Sequence, residues 1–290
     1  MSGGGALAPH ALRVDLCGYS PSTMDHSSRG EPKQGDSPEG TTSVNHGSPV
    51  PAESIDPVKL QLWEETQAEH VKSLISSPLD LTNLRTVAGV DTSFSPTSND
   101  AVAALIILPY PLSPRAAPLY TDFESAPMTE PYAAGYLAFR ELPLLCALFA
   151  RLALARPELY PPGVTLVDGH GVWHPRGLGS AAHLGAVLGI PTIGVAKTFF
   201  HLPAAGVGDD MLRALDGDEH EVRGTDGKVY GAAVRTGGSK RHVFVSCGNR
   251  CDLPTAVEVV KACSFYRIPE PVRRADLESR RIIREREAAA

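Results

Sequence analysis

The 290-residue sequence has no CxxC pair among its five cysteines, no apolar run long enough to span a bilayer and no surplus of basic charge. Each absence removes a class of protein. An odd set of cysteines, Cys17, Cys146, Cys247, Cys251 and Cys263, does not read as a disulfide framework, and an intracellular setting, cytoplasm or nucleus, is expected. The most apolar stretch, Leu142 to Ala155, is interrupted by Pro143 and Arg151 and falls short of the roughly 20 residues of a membrane helix. No membrane partner is expected. The first residues lack a basic segment followed by an apolar one, so no secretory signal is expected either. A formal net charge of −6 argues against a protein held to nucleic acid by an overall positive field, so any phosphate contact must be local. No glycine-rich fingerprint opens a crossover helix and no Walker-type phosphate loop occurs, which excludes the common nucleotide folds.

What is present is enough apolar material, 42% of residues, for one sizeable core. Residues 1–55 form a low-complexity arm, crowded from Gly18 onward with Ser, Pro, Gly and acidic residues, whose burial cannot offset its ordering entropy; it is expected to be disordered. Residues 56–290 then carry one catalytic domain. Asp56-Pro57 is an N-cap followed by Pro at the first helical position, opening a helix through Leu60, Trp63, Val71, Leu74 and Ile75. Strands are expected over Arg85–Asp91, Ala101–Pro109 and Ala117–Phe123, as an antiparallel meander. A helix from near Pro143 follows, then a strand over Val164–Val167, a helix over Pro175–Leu188 and a strand over Thr192–Ala196, the order of a parallel crossover. A hairpin around residues 224–227, a strand over His242–Ser246 and two terminal helices, Thr255–Cys263 and Pro271 to Glu287, complete the pattern. A meander followed by a crossover predicts an α/β fold with a ribonuclease-H-like mixed sheet flanked by helices.

Three carboxylates stand out by position. Asp91 and Asp168 end apolar strands, and Glu141 precedes the expected helix at Pro143. If the first and fourth strands are neighbours, the two aspartates converge at the edge where open sheets bind ligands. With Glu141 they would make the oxygen-rich site that Mg²⁺ or Mn²⁺ requires, suited to activating water and stabilising a leaving oxygen in phosphodiester cleavage. Singly, each also fits a strand-end turn or a favourable charge at a helix N-terminus. The segment from Asp168 to Gly177 packs His170, His174 and Arg176 among glycines that permit close backbone approach. His170 and His174 have the spacing of a zinc-binding helix, but Gly171 and Pro175 disfavour a helix there. Lys197 lies beyond another apolar strand, placed either to stabilise charge at the same edge or as a solvated strand-end lysine. The loop Pro131-Tyr132-Ala133-Ala134-Gly135-Tyr136-Leu137 offers aromatic rings for stacking on bases or for packing. Arg267, Arg273, Arg274, Arg280 and Arg281, interspersed with acids, fit phosphate contacts and a solvated charged helix equally well.

These segments together resemble the endonuclease V family, which acts at inosine or deoxyinosine. The blocks VAGVDTSF, PYAAGYLAFRELP, LVDGHGVWHPRGLGSAAHLGAVLGIPTIGVAKT and FYRIPEPVRRAD occur in family order from about Trp63 to Arg281. The resemblance implies that Asp91, Glu141 and Asp168 are metal-binding catalytic acids using Mg²⁺, with Mn²⁺ able to substitute, and that Asp276 is a further metal ligand. It implies that the loop at Pro131, Tyr132, Ala133 and Ala134 is a strand-separating wedge. Gly135, Leu137, Gly169, Gly171 and Gly179 would help to form a pocket for an everted hypoxanthine, which rejects adenine through the donors and acceptors it leaves unpaired. His174 and Lys197 match positions near the scissile phosphate. The implied reaction is hydrolysis of the second phosphodiester 3′ to inosine in single-stranded RNA or DNA, or in duplex DNA, leaving 3′-hydroxyl and 5′-phosphate ends. Two departures are visible: Ala133-Ala134 where a bulkier residue is expected after Pro-Tyr, which predicts a less rigid wedge, and Ser246-Cys247-Gly248 in place of a Ser-Pro-Gly turn. A structure-specific nuclease indifferent to base identity and an inosine-binding protein without turnover are the competing functions.

Overall fold

The apolar runs that end in Asp91 and Asp168 lie side by side in one sheet of a computed structural model, which describes residues 54–289. The expected arm, apart from Ser54 and Ile55, lies outside the described residues. Helix α1 spans Pro57–Ser73, its N-terminus capped by Asp56, whose carboxylate accepts from the Val58 amide at 2.9 Å. The strands are β1 (Thr86–Phe94), β2 (Asp100–Pro109), β3 (Tyr120–Pro127), β4 (Val164–Asp168), β5 (Thr192–Ala196), β6 (Glu219–Arg223), β7 (Val229–Arg235) and β8 (His242–Asn249). They form one eight-stranded sheet in the order β3-β2-β1-β4-β5-β8-β7-β6. The pairs β1–β4 and β4–β5 are parallel and the others antiparallel, so the sheet is mixed, as expected of a ribonuclease-H-like fold.

Side-chain alternation along these strands assigns the helices to faces. Ala88, Val90, Leu105, Ile107 and Val167 share a core with α2 (Ala138–Ala155) and α3 (Ser180–Leu188). The residues between them, Val87, Ile106, Leu166 and Val195, pack on the other face against α5 (Leu253–Ala262) and α6 (Glu270–Ala289). A third cluster, built on Trp173, Phe199, Val222 and Phe244, lies under the β6–β7 hairpin beside α4 (Asp209–Ala214), a helix for which the sequence pattern gave no signal. No helix among the described residues is long and apolar enough to cross a membrane.

Several expected boundaries move. Strand β1 runs to Phe94, so Asp91 lies inside it and does not end it, because Thr92, Ser93 and Phe94 continue the ladder with Ala103, Val102 and Ala101. Strand β3 runs to Pro127, not Phe123, because Ser125 and Ala126 continue the ladder with Val102 and Ala101. Helix α2 starts at Ala138 and contains Pro143, so Glu141 sits inside its first turns instead of preceding it. Burial of Phe139, Leu142, Leu145 and Phe149 outweighs the one backbone hydrogen bond that the proline removes. Helix α3 starts at Ser180, not Pro175, because Gly177 adopts φ +71° in a turn and Gly179 is still extended.

One glycine sets how closely α6 lies on the sheet. A Cβ at Gly89 would sit 2.1 Å from the Pro271 backbone, so only a bare Cα admits the helix at this depth. Gly89→Ala is expected to lower stability by about 3 kcal/mol through overpacking against a backbone that has no rotamer to yield, measured by denaturant unfolding with an unchanged m-value.

Candidate active site

Parallel pairing places Val90 beside Val167, so Asp91 and Asp168, each one residue further, end up adjacent at the carboxyl edge. Both continue the alternation onto the α6 face, where that helix presents Asp276. Ligand oxygens of Asp91, Asp168 and Asp276 lie within 4.8 Å of one another. Lys197, just beyond β5, donates to Asp168 Oδ2 at 2.5 Å and to Asp276 Oδ1 at 3.0 Å, and Arg280 pairs with the same Asp276 oxygen at 2.9 Å. Glu141 arrives from the α2 face and stands outside the three-aspartate group, its Oε2 accepting from Ser180 Oγ at 2.9 Å. All of these acids but Asp276 line a single cleft of about 870 Å³, together with Lys197 and His174.

The electrostatics follow from burying like charges together. Asp91 is 6% exposed, and burial, then the charge of Asp168 and a hydrogen bond with it, push its carboxyl well above the usual range, with Lys197 opposing. Burial also raises Glu141 to about 7, the Asp168 charge adding to it while the Ser180 hydrogen bond pulls the other way. Burial alone would lower Lys197, but Asp168, Asp91 and Asp276 together raise it. His174 is driven down to about 3 by burial and by the neighbouring Arg176, so it is a neutral imidazole. Its Nδ1 accepts from the Arg176 amide at 3.3 Å, which puts the proton on Nε2. His170 is likewise neutral, lowered to about 4 by burial, with Nε2 directed at the Thr198 carbonyl at 3.1 Å.

The donor set fits a hard divalent cation. It is all oxygen from carboxylates, and both raised acids would be relieved by positive charge placed between them. The two histidines fit zinc less well, since His170 and His174 sit in loop backbone and belong to no group of three convergent ligands among the described residues.

Of the residues expected to bind a base, Tyr132, Gly135, Leu137, Gly169 and Gly179 line the same cleft as the acids. Pro131, Ala133, Ala134 and Gly171 do not. Ala133 is buried against Trp63, Tyr136 and Phe139, and of the loop only Ala134 is exposed. Gly171 serves packing: a Cβ there would lie 1.9 Å from the Cys247 carbonyl, and its amide donates to Ser246 Oγ at 2.8 Å. Gly169, at φ +136°, holds a backbone that favours glycine.

The expected weak point of the loop is tied down. The Gly135 carbonyl accepts from Gln67 Nε2 at 3.0 Å and Arg176 Nη2 at 2.7 Å, and His174 also bonds to the Gly135 backbone. The Tyr136 hydroxyl donates to Glu64 at 2.7 Å, while Arg176 lies over its ring, 4.1 Å from the centroid. Helix α1 and the glycine-rich segment thus fix the base of the aromatic loop, although Ala133-Ala134 alone suggests slack. Gln67 and Ser180 gave no sign of these roles in the sequence, because each acts through a partner more than 35 residues away. The C-terminal arginines are mostly structural: Arg273 and Arg274 pair with the buried Glu270, Arg281 with Glu278 and Glu285, and Arg267 holds the Lys197 and His242 carbonyls.

A ribonuclease-H-like sheet with an aspartate cluster at the carboxyl edge of its parallel strands defines a nuclease. The Endonuclease V family model matches residues 68–277. Endonuclease V of Mus musculus is 37% identical over 241 residues, covering 78% of this chain and 70% of the mouse protein. The catalytic domain of human Endonuclease V is similar in structure, with a TM-score of 0.74 at 36% identity over 81% of this chain and 100% of that one. An Asp-to-Asn variant of Ciona intestinalis Endonuclease V, crystallised with a 23mer DNA containing an inosine followed by a ribo-adenosine, also gives 0.74, at 32% identity over 80% and 99%. The chain belongs to the endonuclease V family and is an endonuclease.

The raised Glu141 has a measurable cost. A folded-state value of about 7 against the usual 4.5 means that the folded protein holds this proton more tightly than the unfolded chain. Stability from this group is full below about 4.5 and is lost as pH rises through about 7. In chelator, Glu141→Gln is expected to be more stable than the parent at pH 8 by on the order of 3 kcal/mol, with the difference vanishing near pH 4.5, in denaturant titrations across that range.

Proposed function

We propose that this protein is a divalent-cation-dependent endonuclease directed to inosine, cutting the second phosphodiester on its 3′ side to leave 3′-hydroxyl and 5′-phosphate ends. The observation that carries the reading is the convergence of Asp91, Asp168 and Asp276 beside a cleft that also contains Glu141, Lys197 and the aromatic loop. Asp91, Asp168 and Asp276 would hold Mg²⁺ or Mn²⁺, with Glu141 completing the acids. When bound, such an ion supplies a lowered pKa for attacking water and charge stabilisation for the leaving oxygen.

The chain's own residues do the remainder. Lys197, whose ammonium already faces two carboxylates, offers positive charge to the phosphate at the same edge. His174, neutral with its proton on Nε2, serves as a hydrogen-bond donor and anchor of the loop, not as a cation. Tyr132, bracketed with Phe94 by the Arg140 guanidinium, stands at the cleft wall as the ring that replaces a displaced base, with Pro131 and Ala134 beside it and the buried Ala133 supporting the wedge from beneath. Gly135, Leu137, Gly169 and Gly179 offer backbone and apolar surface to an everted base, with Gly171 holding that wall to β8. The Ciona complex with inosine-containing DNA supports the choice of base.

The test compares inosine with guanosine at one site in single-stranded RNA, single-stranded DNA and duplex DNA, with Mg²⁺ or Mn²⁺. Cutting is expected at inosine alone, one nucleotide beyond its 3′ neighbouring bond; equal cutting at guanosine overturns base direction. Asp91→Ala is expected to abolish cutting while remaining folded by circular dichroism. Lys197→Ala is expected to lower turnover by on the order of a hundredfold with strand binding nearly retained.

A further inference from the structure

Ser279, outside the acid set, is hydrogen-bonded to two of its members. It lies on α6, three residues beyond Asp276 and so on the same face, and it is fully buried. Its hydroxyl lies 3.0 Å from Asp91 Oδ2, 2.8 Å from Ser93 Oγ and 3.1 Å from the Asp276 carbonyl. Ser93 Oγ is itself 3.4 Å from the same Asp91 oxygen.

A hydroxyl carries one proton and can accept others. The Asp276 carbonyl can only accept from it, as can Asp91 Oδ2 when that acid is ionised, whereas Ser93 can donate. The arrangement that satisfies most groups has Ser93 donating to Ser279 and Ser279 donating to Asp91 Oδ2. The carbonyl is the partner with another option, since it lies within a helix that supplies amide donors.

We propose that Ser279 is a positioning residue for the metal site: it commits Asp91 Oδ2 to a hydroxyl donor and so fixes the carboxylate with its other oxygen left for the cation. This rests on the divalent-cation reading above. The same helix therefore delivers a ligand, Asp276, and the group that orients a second ligand on β1. Hydroxyl partners of this kind fix a ligand's rotamer before the ion arrives, and their removal typically costs 10- to 100-fold in metal affinity. The surroundings of Asp91 make the effect specific: it is buried beside Asp168, whose charge opposes its ionised form, and the Ser279 hydroxyl is the nearer of the two serine donors at its Oδ2.

The experiment is direct titration of the full chain with Mn²⁺, by calorimetry and by the loss of free-ion electron paramagnetic resonance signal. Parent, Ser279→Ala, Ser279→Cys, Ser93→Ala and Asp91→Ala are compared, with cleavage of an inosine-containing strand measured over the same Mn²⁺ range. Ser279→Ala is expected to weaken Mn²⁺ binding about tenfold or more and to shift the cleavage curve to higher Mn²⁺ by the same factor. Its rate at saturating Mn²⁺ should recover towards the parent's, and its melting temperature in chelator should stay within a few degrees. Ser279→Cys, with a weaker donor, should fall between, and Ser93→Ala should shift less than Ser279→Ala. Mn²⁺ affinity in Ser279→Ala within twofold of the parent overturns the assignment, as does a lost rate that no Mn²⁺ concentration restores. If Ser279→Ala fails to fold, Ser279→Cys carries the decision by the same affinity criterion. Absence of Mn²⁺ binding by the parent overturns both this inference and the cation-dependent reading; parent binding that Asp91→Ala abolishes and Ser279→Ala leaves unchanged overturns this inference alone.

Discussion

Everything charged in this molecule's cleft answers to one constraint, the parallel pairing of β1 with β4 that sets Asp91 against Asp168. Two carboxylates with oxygens within 4.8 Å of one another repel when both are ionised, and burial of Asp91 adds to that, so its carboxyl holds its proton well above the usual range. The fold meets the strain with Lys197 across Asp168 and Asp276, Arg280 behind Asp276, and serine hydroxyls on Asp91 and Glu141. None of these neutralises the group completely. Residual negative charge in an oxygen-lined cleft is what gives such a site its appetite for a small, hard cation.

A second constraint acts on shape. The Gly135 carbonyl is the point where α1, the aromatic loop and the glycine-rich segment after β4 meet, through Gln67, Arg176 and His174. These groups, with Ala133 and Tyr136 buried against Trp63 of α1, hold the base of the loop, so the Ala133-Ala134 pair leaves it anchored. Close backbone approaches do similar work beneath the site: Gly89 lets α6 sink onto β1, and Gly171 lets the segment after Asp168 lie on β8.

Much of this was legible in the chain. The apolar runs closed by Asp91 and Asp168 were visible as strands, but the sequence marked neither the extension of β1 to Phe94 nor the pairing of β1 with β4, which stood only as a condition. Helix boundaries were harder. Pro143 looked like a helix start because proline favours the first turn, whereas tertiary burial of Phe139 and Leu142 carried the helix five residues further back. Asp276 was visible only through family resemblance, since an acid in a helix of alternating charges has no local mark. Ser279, Ser180 and Gln67 were invisible for a deeper reason: a hydroxyl or amide acquires a role only from what long-range folding sets opposite it.

The separation of the site along the chain also governs when it can exist. Ser279 and Asp91 are 188 positions apart, and Asp276 and Lys197, which touch, are 79 apart. Contacts of such span form late, after the loops between them have been closed at an entropic cost. A partly folded chain with β1, β4 and β5 already paired but α6 undocked lacks a third carboxylate and the hydroxyl that orders Asp91. In such a state the cation-binding set proposed above would be incomplete, so the site depends on the docking of α6 as well as on the formation of the sheet.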